Sequence, residues 1–300
     1  MTLSRRLIPL VSVAFLVAAC GGATTSIAPS PSTVASGAPT PSIVPSPSAA
    51  PAALLLKVTT EGGFINPSAS LAALPTVAVY SDGRILTPGI VDVIYPGPLV
   101  LPVAVRDVGT AGAAAILAAI KAAGLDQPAT AGPGVPGDSG TNVFTVVVDG
   151  VTTTTRIAGN GPPGQPGRPI ASGDAGREAA LALLQRLIDP TDTWGQPSAA
   201  DSVYAPEGYR VYIAPGAPSG DSTVTRPPVA WPLATPLADF GTPAVPDRGI
   251  AGLRQGVVLG ADAATLAPVF AGATVITPFT SGGSPFTLTV RVLYPDELGG

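Results

Sequence analysis

Thirty-six of the 300 residues are proline and another 36 are glycine, and this bounds the fold more tightly than any other feature. Proline fixes φ, lacks an N–H and interrupts the interior of helices and sheets, while glycine costs backbone entropy in both. Long helices and broad uninterrupted sheets are therefore not expected; short elements joined by long ordered loops are. Against this, 46% of residues are hydrophobic and 11% charged, which places the chain in the globular class.

Proline and serine concentrate first in "GGATTSIAPSPSTVASGAPTPSIVPSPSAAPA" (21–52), which carries no charge. Such a segment buries too little apolar area to offset its chain entropy, so it reads as a disordered stalk with polyproline-like stretches. Fully extended it would reach about 100 Å, and as flexible coil about 30 Å. Thr24, Thr25 and Ser26 are candidate glycosylation positions.

Before the stalk, Arg5 and Arg6 precede an apolar run, Leu7–Val17, that closes on Ala18, Ala19 and Cys20. A basic head, a greasy middle too short to span a bilayer and small residues at the cut describe a secretory leader. Val17-Ala18-Ala19-Cys20 resembles the bacterial lipobox, which implies cleavage after Ala19 and a diacylglyceryl thioether on Cys20. Two or three acyl chains hold a membrane firmly, whereas one holds it marginally. The expected layout is a signal peptide at 1–19, lipidated Cys20 with its stalk at 20–52, and a folded part beyond, on the extracytoplasmic side of the cell membrane. Cys20 is the only cysteine, so disulfides and thiolate metal sites are excluded by count.

Fifteen cations face 19 acids, and loss of the leader leaves 13 against 19. The scattered cations form no basic stripe, so nucleic acid is not an expected partner. Thirteen of the 15 cations are arginine, a skew matching a high-GC genome.

Within 54–300, period-two patterns predict strands at 54–60, 91–95, 208–215, 253–260 and 284–297, and hairpins at 76–86 and 142–159 turning on Asp82-Gly83 and Asp149-Gly150. Helices are expected at 110–125, capped by Thr110 and closed by Gly124, with Ala113, Ile116, Leu117 and Ile120 inward; and at 174–189, with Leu181, Leu184 and Ile188 inward and Pro190 as its stop. A third, at 261–270, is compromised by Pro268, and Trp231, Leu237 and Phe240 are expected to plug the core. The order strand, Asp-Gly turn, strand, helix occurs twice before 190. The expected class is α+β: mostly antiparallel hairpins packed with two or three short helices and long Pro/Gly-rich loops. It forms one composite domain or two units, 53–190 and 191–300.

Catalytic motifs fail on their own chemistry. "GDSG" (137–140) resembles a serine-protease nucleophile loop, but the chain has no histidine to take the serine proton, and neither Lys57 nor Lys121 neighbours a plausible serine. "GNGPPG" (159–164) fits G-x-G-x-x-G as a string, yet Pro162 and Pro163 prevent the helix that motif must open. Without histidine or thiol a metal site would need carboxylates alone. Asp189, Asp192 and Asp201 offer three, although turn chemistry after a helix explains them equally well. Paired carboxylates could hydrolyse glycosides, and the densest acidic cluster, "PDE" (295–297), reads as solvated surface at a frayed terminus. No catalytic residue, cofactor site or metal site is assigned; Cys20 is the one modified residue expected.

"VYSDGRILTPG" (79–89), the helix "AAILAAIKAAGL" and "SGGSPFTLTVRVLYPDE" resemble an uncharacterised lipoprotein family of high-GC bacteria. The resemblance implies an envelope location and a shared domain plan, with no activity to transfer. The reading that results is a lipid-anchored envelope protein with a non-catalytic binding or structural domain, its partners the membrane through the lipid and a wall component or another envelope protein. The alternatives are a carboxylate-dependent envelope hydrolase and a solute-binding lipoprotein, the latter disfavoured because it would call for two lobes with parallel sheets.

Overall fold

The computed structural model describes residues 52–62, 67–92, 95–127, 140–158, 175–197, 201–219 and 223–299. The leader, Cys20 and the stalk through residue 51 lie outside the described residues, as do positions 137–139 of "GDSG" and all of "GNGPPG".

Two sheets and four helices make up the described chain, an α+β architecture. Sheet 1 contains β1 (Leu54–Glu61), β2 (Val77–Tyr80), β3 (Arg84–Pro88), β4 (Val103–Asp107), β5 (Thr141–Val148), β6 (Val151–Ala158) and β7 (Ser202–Val203), in the order β6-β5-β1-β2-β3-β4-β7. Every pair in it is antiparallel. Sheet 2 contains β8 (Gly208–Pro215), β9 (Val229–Ala230), β10 (Thr242–Pro243), β11 (Arg254–Leu259), β12 (Phe279–Ser281) and β13 (Ser284–Val292), in the order β10-β11-β8-β13-β12-β9. Only its β12–β9 pair is parallel. The helices are α1 (Pro67–Ala72), α2 (Gly109–Ala122), α3 (Ala175–Ile188) and α4 (Gly260–Ala271), so there are four where two or three were expected.

Broad sheets form despite the proline content, contrary to expectation, because proline is kept out of ladder interiors. Pro88, Pro215 and Pro285 sit at or next to strand ends, and Pro243 lies in the two-residue edge strand β10. There a missing N–H costs little.

One face of sheet 1 buries Leu56, Val58, Val79, Ile85, Phe144 and Val146 against Ile116 and Ile120 of α2 and Leu183, Leu184 and Leu187 of α3. Each such side chain contributes about 1.5–3 kcal/mol through burial. The α3 stripe is displaced from the expected one: Ala180, Leu183, Leu184 and Leu187 are buried, while Leu181 and Ile188 flank them half-exposed. In α2 Leu117 likewise lies at the margin of the buried stripe.

All four residues of β2 are buried because the rear face of sheet 1 is covered too. Ala78, Tyr80, Leu86 and Val103 join a core with Val211, Ile213, Leu288 and Val290 of sheet 2 and with Leu266 and Phe270 of α4. Phe270 meets Tyr209 and Phe279 edge-on, with ring centroids 5.2 and 6.5 Å apart. Both sheets thus belong to one compact unit spanning Ala49–Gly300. On the outer face of sheet 2, Leu71 of α1 packs with Tyr212, Ala214, Ala244 and Leu253.

Local signals explain most boundaries. Asp149 and Gly150 adopt φ of 51° and 78°, the pair of left-handed residues a two-residue hairpin requires. Gly124, at φ 69°, ends α2 while Leu125 N–H donates back to the Ile120 carbonyl at 3.2 Å. Thr110 does not cap α2. The helix starts one residue earlier, and Asp107 Oδ1 accepts the Gly109 N–H at 2.8 Å. Gly83 is obligatory: at φ 97°, an added Cβ would lie 2.2 Å from the Gly109 carbonyl oxygen.

The strand expected at 91–95 is not seen among its described residues. Val91 and Asp92 belong to no strand and Tyr95 sits in a bend, while residues 93–94 lie outside the described residues. The partner of β3 is instead β4, after a loop in which Pro96, Pro98 and Pro102 cannot donate to a ladder. That loop is tied to the segment after α4 through Leu99 N–H to the Ala273 carbonyl, 3.0 Å. Pro268 does not curtail α4, which runs on to Ala271.

Candidate functional site

The densest polar constellation lies where sheet 1 meets the last residues of sheet 2, at the "PDE" read from sequence as frayed and solvated. That reading is corrected: Pro295–Glu297 forms a 3₁₀ turn packed on the rear face of sheet 1. Asp296 pairs with Lys57 of β1, and its second oxygen accepts the Tyr80 hydroxyl at 2.6 Å. Glu297 receives both Nη atoms of Arg291 at 2.8 and 2.7 Å, plus the Tyr294 N–H at 3.0 Å. Tyr204 donates to the Leu293 carbonyl at 3.1 Å and tilts against Tyr294, with centroids 6.2 Å apart. Lys57 Nζ stands 5.8 Å from the Tyr294 ring centroid. The C-terminal turn missed by sequence reasoning was hidden by sequence distance: Lys57 and Asp296 are 239 residues apart.

The protonation states here suit a fixed latch. Burial pushes the Tyr80 phenol well above its ordinary range, and its hydrogen bond to Asp296 adds to the effect. Burial likewise raises Tyr294, and moves Tyr204 up to about 12, with Glu207 contributing. A phenol held neutral donates a hydrogen bond and cannot serve as a base near neutral pH. Burial would raise Glu297, but the Arg291 and Tyr294 bonds outweigh it and hold the carboxyl below its usual range. Burial would lower Arg291, but the hydrogen bonds and charge of Glu297, joined by Tyr212, outweigh it and raise the guanidinium.

A second constellation, on the helix side of sheet 1, contains the three aspartates considered as cation ligands. Arg106 of β4 is buried and donates to the carbonyls of Asp189 and of Leu187, the latter at 2.6 Å, so a cation caps the C-terminus of α3. Burial lowers its pKa, partly offset by Asp201, Asp192 and Asp189. Asp189 Oδ1 accepts the Thr191 hydroxyl and N–H at 2.7 and 2.8 Å, which lowers its pKa. Burial would raise Asp192, yet Arg186 Nε and Trp194 N–H, at 2.8 and 2.9 Å, bring it below the ordinary value. These are turn and cap contacts. Among the described residues, no group of three or more His, Cys, Asp or Glu is placed to hold a metal ion.

The third feature is a concavity of about 490 Å³ at one end of sheet 2. It is lined by Ile213, Pro215, Ala238, Pro285 and Phe286, with Arg254 and Ser284 as its polar members. Arg254 is clamped by three backbone carbonyls: Nε to Phe240 at 3.0 Å, and Nη2 to Asp239 and Gly241 at 3.2 and 2.7 Å. Nearby, the Phe240 ring lies on Gly256, where a Cβ would come within 2.3 Å of the ring, and meets Trp231 edge-on at 5.6 Å. Trp231 and Leu237 are core residues, as expected, and Phe240 packs against that core.

No helix among the described residues is long and apolar enough to cross a membrane. Comparison with family models, with curated proteins and with solved structures finds no match.

Proposed function

We propose that this chain is a lipid-anchored cell-envelope protein, tethered through Cys20 and the 20–52 stalk, whose folded unit acts by binding and not by catalysis. The anchor rests on the leader and on Val17-Ala18-Ala19-Cys20, whose small residues before a single cysteine fit lipobox processing. One observation carries the binding role: the sheltered charged groups at the sheet junction and at the end of α3 are closed into fixed pairs and caps. The concavity on sheet 2, by contrast, places a part-exposed cation, Arg254, whose Nη1 has no acceptor among the described residues, beside apolar walls. Carboxylates engaged by cations and turn N–H groups are committed to structural roles, whereas an apolar concavity with a few polar groups is the usual form of a ligand site. A wall component or another envelope protein is the partner class this location makes available.

Expression of the full chain in a bacterium fed labelled palmitate tests the anchor. Label and detergent-phase partitioning are expected for the parent and loss of both for Cys20→Ala; unlabelled parent in the aqueous phase would overturn it. Retention of the full chain on isolated envelope material tests the binding role, and clean flow-through on every matrix would count against it.

A further inference from the structure

We propose that the concavity at the end of sheet 2 binds an amphipathic monoanion, an aliphatic or aromatic body ending in a carboxylate, with Arg254 and Ser284 receiving the head and Ile213, Pro215, Pro285 and Phe286 the body. The inference rests on the binding reading above and adds the chemistry of the ligand.

Size is the first argument. About 490 Å³ in an open concavity lies within the range of about 300–1,000 Å³ of small-ligand clefts. Exposed Pro215, Pro285 and Ala238 over a floor of buried Ile213 and Phe286 reward removal of carbon from water and offer nothing to a fully polar solute.

Charge is the second. Carbonyl dipoles orient the Arg254 guanidinium but leave its formal charge intact, and no carboxylate among the described residues lies within ion-pair distance of it. Lys57, Arg84, Arg156, Arg186 and Arg291 are each paired to an acid; Arg106, like Arg254, is held by carbonyls alone, but it is buried, whereas Arg254 is part-exposed in the concavity. Nε and Nη2 are occupied, while Nη1 has no acceptor among the described residues. Ser284 follows the Gly282-Gly283 turn of the β12–β13 hairpin, and its hydroxyl likewise has no partner among them. One guanidinium and one hydroxyl match a monoanion; a dianion would bring a second charge against apolar walls with nothing to compensate it. The three-carbonyl clamp fixes the guanidinium beforehand, which lowers the ordering cost of binding.

Such a head and body occur in a free organic acid and at the C-terminus of a polypeptide ending in an apolar residue. Calorimetric titration of the full chain with octanoate and 4-phenylbutyrate addresses the first source; a tripeptide ending in leucine, as free acid and as amide, addresses the second. At least one acid is expected to bind saturably, with its amide counterpart (octanamide, 4-phenylbutyramide or the peptide amide) weaker by about tenfold or more, and with affinity falling as salt rises. Ala238 is exposed at the rim, so Ala238→Trp is expected to abolish binding without lowering the melting temperature. If that variant melts early, Ser284→Val replaces it, with at least a threefold loss expected. Absence of saturable binding by every acid, equal affinity for acid and amide, or unchanged binding in the folded plug variant (or in Ser284→Val) would each overturn the proposal. Palmitate labelling reads the anchor separately, so either can fail without the other.

Discussion

The two faces of sheet 1 are buried by different means. Toward α2 and α3 the contact is hydrocarbon: Leu56, Val58, Phe144 and Val146 against Ile116, Ile120 and Leu184, with Arg106 capping α3 at its margin. Toward sheet 2 the aliphatic contact of Ala78, Leu86 and Val103 is joined by tyrosines and by Lys57–Asp296. Apolar burial is non-directional and tolerates sliding of one layer over another. A lysine, a phenol and a carboxylate meet only at one docking geometry. The helix face therefore supplies cohesion, and the rear face supplies cohesion together with register.

The largest effect that would break this distinction is alkaline. Tyr80, Tyr204, Tyr209 and Tyr294 all have raised pKa values, with burial as the leading cause, and all four belong to the core at the rear face. Their stabilisation is complete below the unfolded tyrosine value of about 10 and is lost as pH climbs through their higher folded values. Tyrosinate absorbance from these side chains should appear together with loss of near-ultraviolet circular dichroism above about pH 10. Early ionisation with the dichroism intact would mean that the rear face is open to water.

Next in size is a cavity in the helix face. Ile116 is fully buried, so Ile116→Ala should cost about 2–5 kcal/mol, read from chemical denaturation. Asp296→Ala should cost less, about 2 kcal/mol, by stranding the Lys57 ammonium and the Tyr80 hydroxyl in a sheltered site. If Asp296→Ala proved the more damaging, the polar contacts would be supplying most of the cohesion as well as the register.

At the acid end, the depressed Glu297 contributes stability that is fully present above the ordinary glutamate value of about 4.3 and is lost as pH falls through its lower folded value. Glu297→Gln should flatten the fall in melting temperature below about pH 4. An unchanged acid limb would assign the acid sensitivity to Asp189 and Asp192 at the end of α3.

The same contrast accounts for what was legible beforehand. Helix-face burial repeats at intervals of three and four in α2 and α3, and the Asp149-Gly150 turn and the Gly124 cap are local chemistry, so a window of residues contains the signal. The phase of α3 was off by one because Leu181, Leu183 and Leu184 are equivalent to a periodicity count; docking selects among them. A strand was expected at 91–95 because Val91, Val93 and Ile94 favour extended chain, but strand formation needs an edge, and β3 gives its edge to β4. The latch left no signal, since an acid near a terminus looks the same whether it faces water or a lysine 239 residues away. Arg254 was equally silent: only the fold brings it beside Phe286.

The smallest predicted effect gives the sharpest test, because it compares two ion pairs on one strand. Lys57 and Glu61 both project from the rear face of β1, where successive odd positions share a side. Lys57 pairs with Asp296 under sheet 2, with side-chain exposures of 16% and 20%; Glu61 pairs with Arg156 of the neighbouring hairpin at 50% and 62%. Water and salt screen the second pair and both its partners stay solvated when separated, so its coupling in a double-mutant cycle should be about 0.5 kcal/mol or less and should vanish in salt. The first pair should couple by more than about 1 kcal/mol and keep most of that in salt, because its alternative is a stranded charge at a packed junction. Equal coupling energies would mean that sheet 2 does not shield β1, and the polar register assigned to the rear face would fall with it.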